Sequence, residues 1–174
     1  GQTLRQWLSS NPKPYISEVR KIVEQIAKGL RAFHRMEMLH QDLKPENIML
    51  TQQGIIKIID FGSVKIAGIA EITPHLDDSD ENILGTFNYS APEYFLGQQG
   101  SVKSDQFSLA VITYEMINGG LPFGVDMLEK PSAIKLGKLN YVPSFHKNPL
   151  VPLWIDGALK KGTSINPSLR YNNL

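Results

Sequence analysis

Apolar positions recur along this chain with two different periods, and the switches between them mark out its elements. Leu4, Trp7 and Leu8 share one helical face over residues 3–9, and Asn11-Pro12-Lys13-Pro14 breaks the pattern. From Ile16, with Ser17 near the start, Val19, Ile22, Val23, Ile26, Leu30 and Phe33 hold helical spacing for about five turns, the strongest helix signal in the sequence. The period then shortens. Ile48-Met49-Leu50 and Ile55-Ile56-Lys57-Ile58-Ile59 are β-rich runs around Gln52-Gln53-Gly54 and predict a small hairpin. Residues 63–90 keep no period and are rich in Gly, Ser, Asp and Thr, which predicts a long irregular loop of the kind that usually carries function. Over 104–118, Phe107, Leu109, Ala110, Ile112, Tyr114 and Met116 leave almost no polar face, so a buried helix is expected until Asn118-Gly119-Gly120 stops it. Further helices are expected at about 126–137 and at 151–161, the latter opening after Pro149 and Pro152 and ending near Gly162. The pattern as a whole is mainly α, with one small β-hairpin.

Composition narrows the classes available. At 174 residues and 41% hydrophobic, the chain supports one domain with a real core. Eighteen basic and 17 acidic side chains leave a charge of +1, so no general field draws nucleic acid or an anionic membrane, and an anionic ligand needs a local site. The absence of cysteine excludes disulfides, thiolate metal sites and a cysteine nucleophile, and suits a reducing, cytoplasmic location. No apolar run is long enough for a membrane span, and GQTLRQWLSS has no signal-peptide pattern, so a soluble chain is expected. Asp77, Asp78, Asp80 and Glu81 lack EF-hand spacing and read as a solvated loop. His34, His75 and His146 stand alone in the sequence and receive no role. Both ends read as cuts through a larger unit: the first residues are already helical, and Pro167–Leu174 opens a segment without closing it.

The chemistry lies on either side of the hairpin. His40-Gln41-Asp42-Leu43-Lys44-Pro45-Glu46-Asn47 follows the long helix, and Asp60-Phe61-Gly62 follows the second β run. Phosphoryl transfer to a hydroxyl asks mainly for position and charge neutralisation: a carboxylate beside the attacking oxygen, a cation on the γ-phosphate, and oxygen ligands for Mg²⁺. One carboxylate and one amide oxygen suit a hard cation that keeps several waters.

These segments resemble the eukaryotic-like Ser/Thr protein kinases, whose catalytic loop reads H-R-D-L-x-x-x-N and whose metal loop reads D-F-G. The resemblance implies that Asp42 orients the substrate hydroxyl and accepts its proton. It makes Asn47 and Asp60 the metal ligands and Lys44 the cation on the transferring phosphoryl, with ATP and Mg²⁺ as cofactors. Gly85-Thr86 and Ala91-Pro92-Glu93 look like the end of an activation segment spanning about 60–93. Thr86 then bonds the catalytic Asp and Lys, Glu93 pairs with Arg170, and Asp105 holds the catalytic-loop backbone. His40 and Phe61 stack, Gly62 completes the metal loop, and Met49, with Ile112 and Met116 beneath it, forms a floor under adenine. Phe107 stands where the family usually has Trp.

The resemblance covers residues 1–174 as a kinase C-terminal lobe, because no Gly-rich loop, β3 Lys or partner Glu precedes Gly1. It implies a missing N-terminal lobe in cis, a protein substrate with a Ser or Thr acceptor, and a fragment inactive by itself. Apolar surface left open near Met49 and the first helix is expected to favour self-association. Ala67-Gly68-Ile69-Ala70-Glu71-Ile72 and Tyr94-Phe95-Leu96-Gly97 are similar to bacterial kinases fused to a metal-dependent protein phosphatase. Two other classes compete: a pseudokinase scaffold, which generally loses one of the Asp42, Asn47 or Asp60 equivalents, and an aminoglycoside- or choline-type phosphotransferase. The latter usually lacks the Lys44 position, the full D-F-G and the A-P-E with its distant Arg.

Gln41 departs from the family pattern, which has an Arg that pairs with an activation-loop phosphate. Control that does not depend on loop phosphorylation is therefore expected. Thr73→Ala and Ser79→Ala, made singly in the full-length enzyme beside Thr86→Ala and Ser90→Ala, should keep activity in a transfer assay; its abolition in either of the first two counts against the expectation.

Overall fold

The computed structural model describes residues 1–60, 65–66, 88–124 and 136–174, with 65–66 as backbone alone. Its elements are β1 (Gln2–Thr3), α1 (Leu4–Ser10), α2 (Ile16–Arg35), β2 (Met38–Leu39), a 3-10 turn (Pro45–Asn47), β3 (Ile48–Leu50), β4 (Ile56–Ile58) and β5 (Lys65–Ile66). After these come α3 (Pro92–Phe95), α4 (Val102–Asn118), α5 (Ser144–Lys147), α6 (Leu153–Gly162) and a second 3-10 turn (Pro167–Leu169). The mainly α architecture with a small antiparallel sheet follows the pattern of apolar positions. The expected helix at about 126–137 falls largely outside the described residues.

Local chemistry fixes the helix ends. The Thr3 hydroxyl accepts from Gln6 N and the Gln6 side chain accepts from Thr3 N, a capping box that starts α1. Ser101 and Ser104 form the equivalent box at α4, so that helix begins at Val102 rather than 104. Gly119, at φ 67°, ends α4 in the left-handed conformation that side chains disfavour. Pro152, extended at ψ 142°, serves as N-cap and moves the start of α6 to Leu153.

Val19, Ile22, Ile26 and Leu30 are the buried stripe of α2. They pack on α4, which is buried on every side, including Phe107, Ile112, Tyr114 and Met116. Each such side chain taken out of water contributes about 1.5–3 kcal/mol, so this helix pair is the main source of cohesion. The hairpin leans on the other side of α2. There Gln25 Nε2 donates to Gly54 O at 3.0 Å and Ile56 N donates to Gln25 Oε1 at 3.0 Å. Gly29 allows the close approach, since a Cβ there would lie 2.9 Å from Ile58 Cδ1.

The structure adds elements too short to carry a period. β1 pairs antiparallel with β3, Thr3 facing Met49, and turns the hairpin into a three-stranded sheet of order β1-β3-β4. Within the expected loop at 63–90, Lys65–Ile66 pairs with Met38–Leu39. Near this edge Met49, Trp7 and Leu8 are half-buried and Leu4 is fully buried. Among the described residues the most exposed large apolar side chains include Leu150 at 83%, Tyr15 at 80% and Trp154 at 74%.

Arg170 and Glu93 lock α3 to the C-terminal turn. Nη1 donates to Glu93 Oε1 and Nη2 to Oε2, both at 2.8 Å, and the remaining donors reach Ser164 O, Lys103 O and Ile165 O. Ser104 Oγ donates to Glu93 Oε1 at 2.7 Å, and the guanidinium lies 4.8 Å from the Phe107 ring centre. Burial pushes the Glu93 carboxyl up, but hydrogen bonds from Arg170 and Ser104 and the Arg170 charge outweigh it, so its pKa is lowered. A lowered folded-state pKa gives stability that is present above the unfolded value, about 4.3, and is lost as pH falls through the folded one. Arg170→Ala, which strands a buried carboxylate, should cost about 3–5 kcal/mol in urea unfolding. Its deficit should shrink below about pH 4, where the unfolded Glu93 carboxyl is already protonated.

Candidate phosphoryl-transfer site

The loop after β2 alternates between inside and outside. Leu43, Pro45 and Asn47 are buried, while Asp42 and Lys44 are half-buried and Glu46 is exposed. The three inward residues anchor the segment and leave the polar ones facing a common side. Its entry is strained, because Gln41 takes φ 67°, a region costing on the order of 1 kcal/mol or more for a residue with a Cβ. Asp105, buried in the first turn of α4, offsets that cost: Oδ2 accepts from His40 N and Oδ1 from Gln41 N, each at 3.0 Å.

Three polar groups then meet. Lys44 Nζ lies 2.9 Å from Asp42 Oδ2. Asn47 Nδ2 donates to the same oxygen at 3.1 Å and to Asp42 O at 2.8 Å. With its nitrogen so engaged, the Asn47 amide presents its oxygen as the group for a cation. Ile59 N donates to Asn47 O at 2.9 Å, and His40 Nε2 donates to Ile59 O at 3.3 Å. These bonds tie the end of β4 to the loop, and Asp60 is the next residue. Asp60 is exposed and, at φ 62°, is a second left-handed residue of the site. The donor set, one carboxylate and one amide oxygen, fits Mg²⁺. Met49 sits half-buried in the middle strand of the sheet, opposite Lys57 and Thr3. Phe61, Gly62 and Thr86 lie outside the described residues, as does the segment at 67–72.

His34 is a residue that sequence reasoning passed over. From the last turn of α2 its Nε2 lies 2.9 Å from Asp105 Oδ2, a third hydrogen bond accepted by that carboxylate. The only advance signal was a histidine at a helix end, which alone says nothing about a partner 71 residues away. His40 itself is fully buried and tilts 54° to Phe33 at 6.3 Å between ring centres, a packed position.

The family description "Protein kinase domain" matches residues 1–156. The chain belongs to the protein kinase family. Among the relatives of this kinase chain, the serine/threonine-protein kinase PrkC of Bacillus subtilis is 31% identical over 173 residues, 98% of this chain and 26% of the relative. A probable serine/threonine-protein kinase of Clostridium acetobutylicum is 30% identical, over 99% of this chain and 25% of its own length. The probable kinase PknB of Lactococcus lactis is 27% identical, over 100% and 27%. The kinase chain thus spans about a quarter of the length of these curated relatives.

Removing the Asp105 acceptor strands two loop N–H groups and the His34 ring, at about 1–3 kcal/mol for each buried unmet group. Asp105→Ala should lower the unfolding free energy by about 3 kcal/mol in chemical denaturation, and Asp105→Asn, which keeps one acceptor oxygen, by less.

Proposed function

We propose that the chain is the C-terminal lobe of a Ser/Thr protein kinase that transfers the γ-phosphoryl of MgATP to Ser or Thr hydroxyls of a protein. Residues 1–174 are that lobe, and about 60–93 its activation segment. The observation that carries the reading is the convergence of Lys44 Nζ and Asn47 Nδ2 on one oxygen of Asp42.

Asp42 orients the acceptor hydroxyl and takes its proton as the hydroxyl oxygen bonds to the γ-phosphorus. The bond from that phosphorus to the β–γ bridging oxygen breaks, and ADP leaves. Lys44 would offset the charge on the transferring group, and Thr86, which lies outside the described residues, is assigned by the resemblance to the Asp42 and Lys44 pair. Asn47 and Asp60 hold Mg²⁺, which when bound neutralises the phosphate oxygens. Met49 would form the floor under adenine.

A binding-only scaffold has no need to keep Asp42, Asn47 and Asp60 together, and their retention favours the enzyme. An N-terminal lobe in cis supplies the remaining grip on ATP, so the isolated chain binds nucleotide weakly and does not transfer. A cytoplasmic location suits a chain without cysteine, and the whole protein could be anchored through segments outside this chain. Among the described residues no helix is long and apolar enough to cross a membrane.

With labelled ATP and the protein that carries both lobes, Asp42→Asn should lower transfer by about 10²-fold or more, the usual worth of a positioned base. Asp60→Ala should do likewise with a weakened Mg²⁺ dependence, and undiminished transfer there removes Asp60 from the metal site.

A further inference from the structure

Outside the residues of the kinase motifs, one guanidinium joins four parts of the structure. Arg5 stands on α1. Its Nε donates to Glu46 Oε1 at 2.8 Å, in the 3-10 turn beside Asn47. Its Nη1 donates to Glu115 Oε1 at 2.7 Å, near the end of α4. Its Nη2 donates to the Tyr89 hydroxyl, just before Ala91-Pro92-Glu93. The ring closes on itself, because the Tyr89 hydroxyl donates to Glu115 Oε2 at 2.6 Å. Tyr89 is buried, and its carbonyl accepts from Ser108 Oγ at 2.7 Å.

Burial works against the Arg5 cation, but the hydrogen bonds it donates to Glu115 and Glu46 and the Glu115 charge more than offset it and raise its pKa. Burial and the Glu115 charge raise the Tyr89 phenol, so it remains a donor. A planar fork with three separate donor directions is what this arrangement uses, and lysine does not reproduce it.

We propose that Arg5 is a positioning residue of the phosphoryl-transfer site, fixing the catalytic-loop turn through Glu46 and the end of the activation segment through Tyr89. It touches neither nucleotide nor acceptor. Its leverage is short: Glu46 adjoins Asn47, and the Asn47 amide nitrogen holds both the carbonyl and the carboxylate of Asp42. A turn loosened at Glu46 therefore lets the Asp42 carboxylate drift, and displacements of about 1 Å near a reacting centre are costly in rate. Glu115, only 15% exposed along its side chain, is left without its cation when Arg5 goes, which adds a drift of Tyr89.

This inference rests on the kinase reading, and the experiment separates the two. In the two-lobe protein, Arg5→Ala should lower kcat per folded molecule by about 10- to 100-fold, with KM for ATP changed by less than about twofold. Folded fraction is read by circular dichroism at the assay temperature. The Arg5→Ala, Glu46→Gln double variant should lose less than the product of the single losses, since both act through one turn. Where Arg5→Ala does not fold, Arg5→Lys serves, with a smaller loss of kcat expected. Unchanged kcat per folded molecule, or single losses that multiply, overturns the positioning role while Asp42→Asn still abolishes transfer. No transfer by the unsubstituted protein overturns both readings.

Discussion

The carboxylate of Asp105 is the point on which the site hangs. It is 1% exposed, and it is there only because backbone N–H groups of His40 and Gln41 and the ring of His34 occupy its oxygens. A buried carboxylate without such partners is too costly to keep ionised. The dependence runs both ways, since Gln41 keeps its left-handed backbone only while its N–H has that acceptor. One side chain thereby fixes where the catalytic loop begins, and Asp42 is the next residue.

The same physics recurs along α4. Ser104 meets Glu93, Ser108 meets the Tyr89 carbonyl, and Glu115 meets Arg5 and the Tyr89 hydroxyl. The helix is apolar enough to sit at the centre of the core, and Ser104, Asp105, Ser108 and Glu115 each take hold of a neighbouring segment. Ordering a loop costs roughly 1–2 kcal/mol per residue in backbone entropy, so these loops need fixed acceptors and donors in the core to be held. The Glu93–Arg170 pair extends the pattern. A buried ion pair is a weak source of net stability, but with every guanidinium hydrogen bond satisfied it sets the position of α3 against the C-terminal turn.

Much of this was legible beforehand. The α2 stripe, the hairpin and the buried α4 follow from apolar spacing, because helical and strand periods are local properties of the chain. The segment from His40 to Asn47 was legible through its resemblance to the kinase loop motif, and in the fold Lys44 and Asn47 both meet Asp42. β1, β5, α3 and α5 were not legible, being too short to show a period; β1 in particular exists through its pairing with β3. Met49 sits half-buried in the middle strand that this pairing completes.

The chain by itself marked the candidate residues of the site, through the motifs that carry its resemblance, and the helices of the core, through apolar positions a few residues apart. Only the tertiary structure decided who holds them in place. His34 and Asp105 lie 71 residues apart, and Arg5 and Glu115 lie 110 apart. A lone histidine at a helix end and a lone arginine on a surface helix carry no mark of their partners. Their roles come into being when α2, α1 and α4 pack, because packing removes water and makes each polar group find its match.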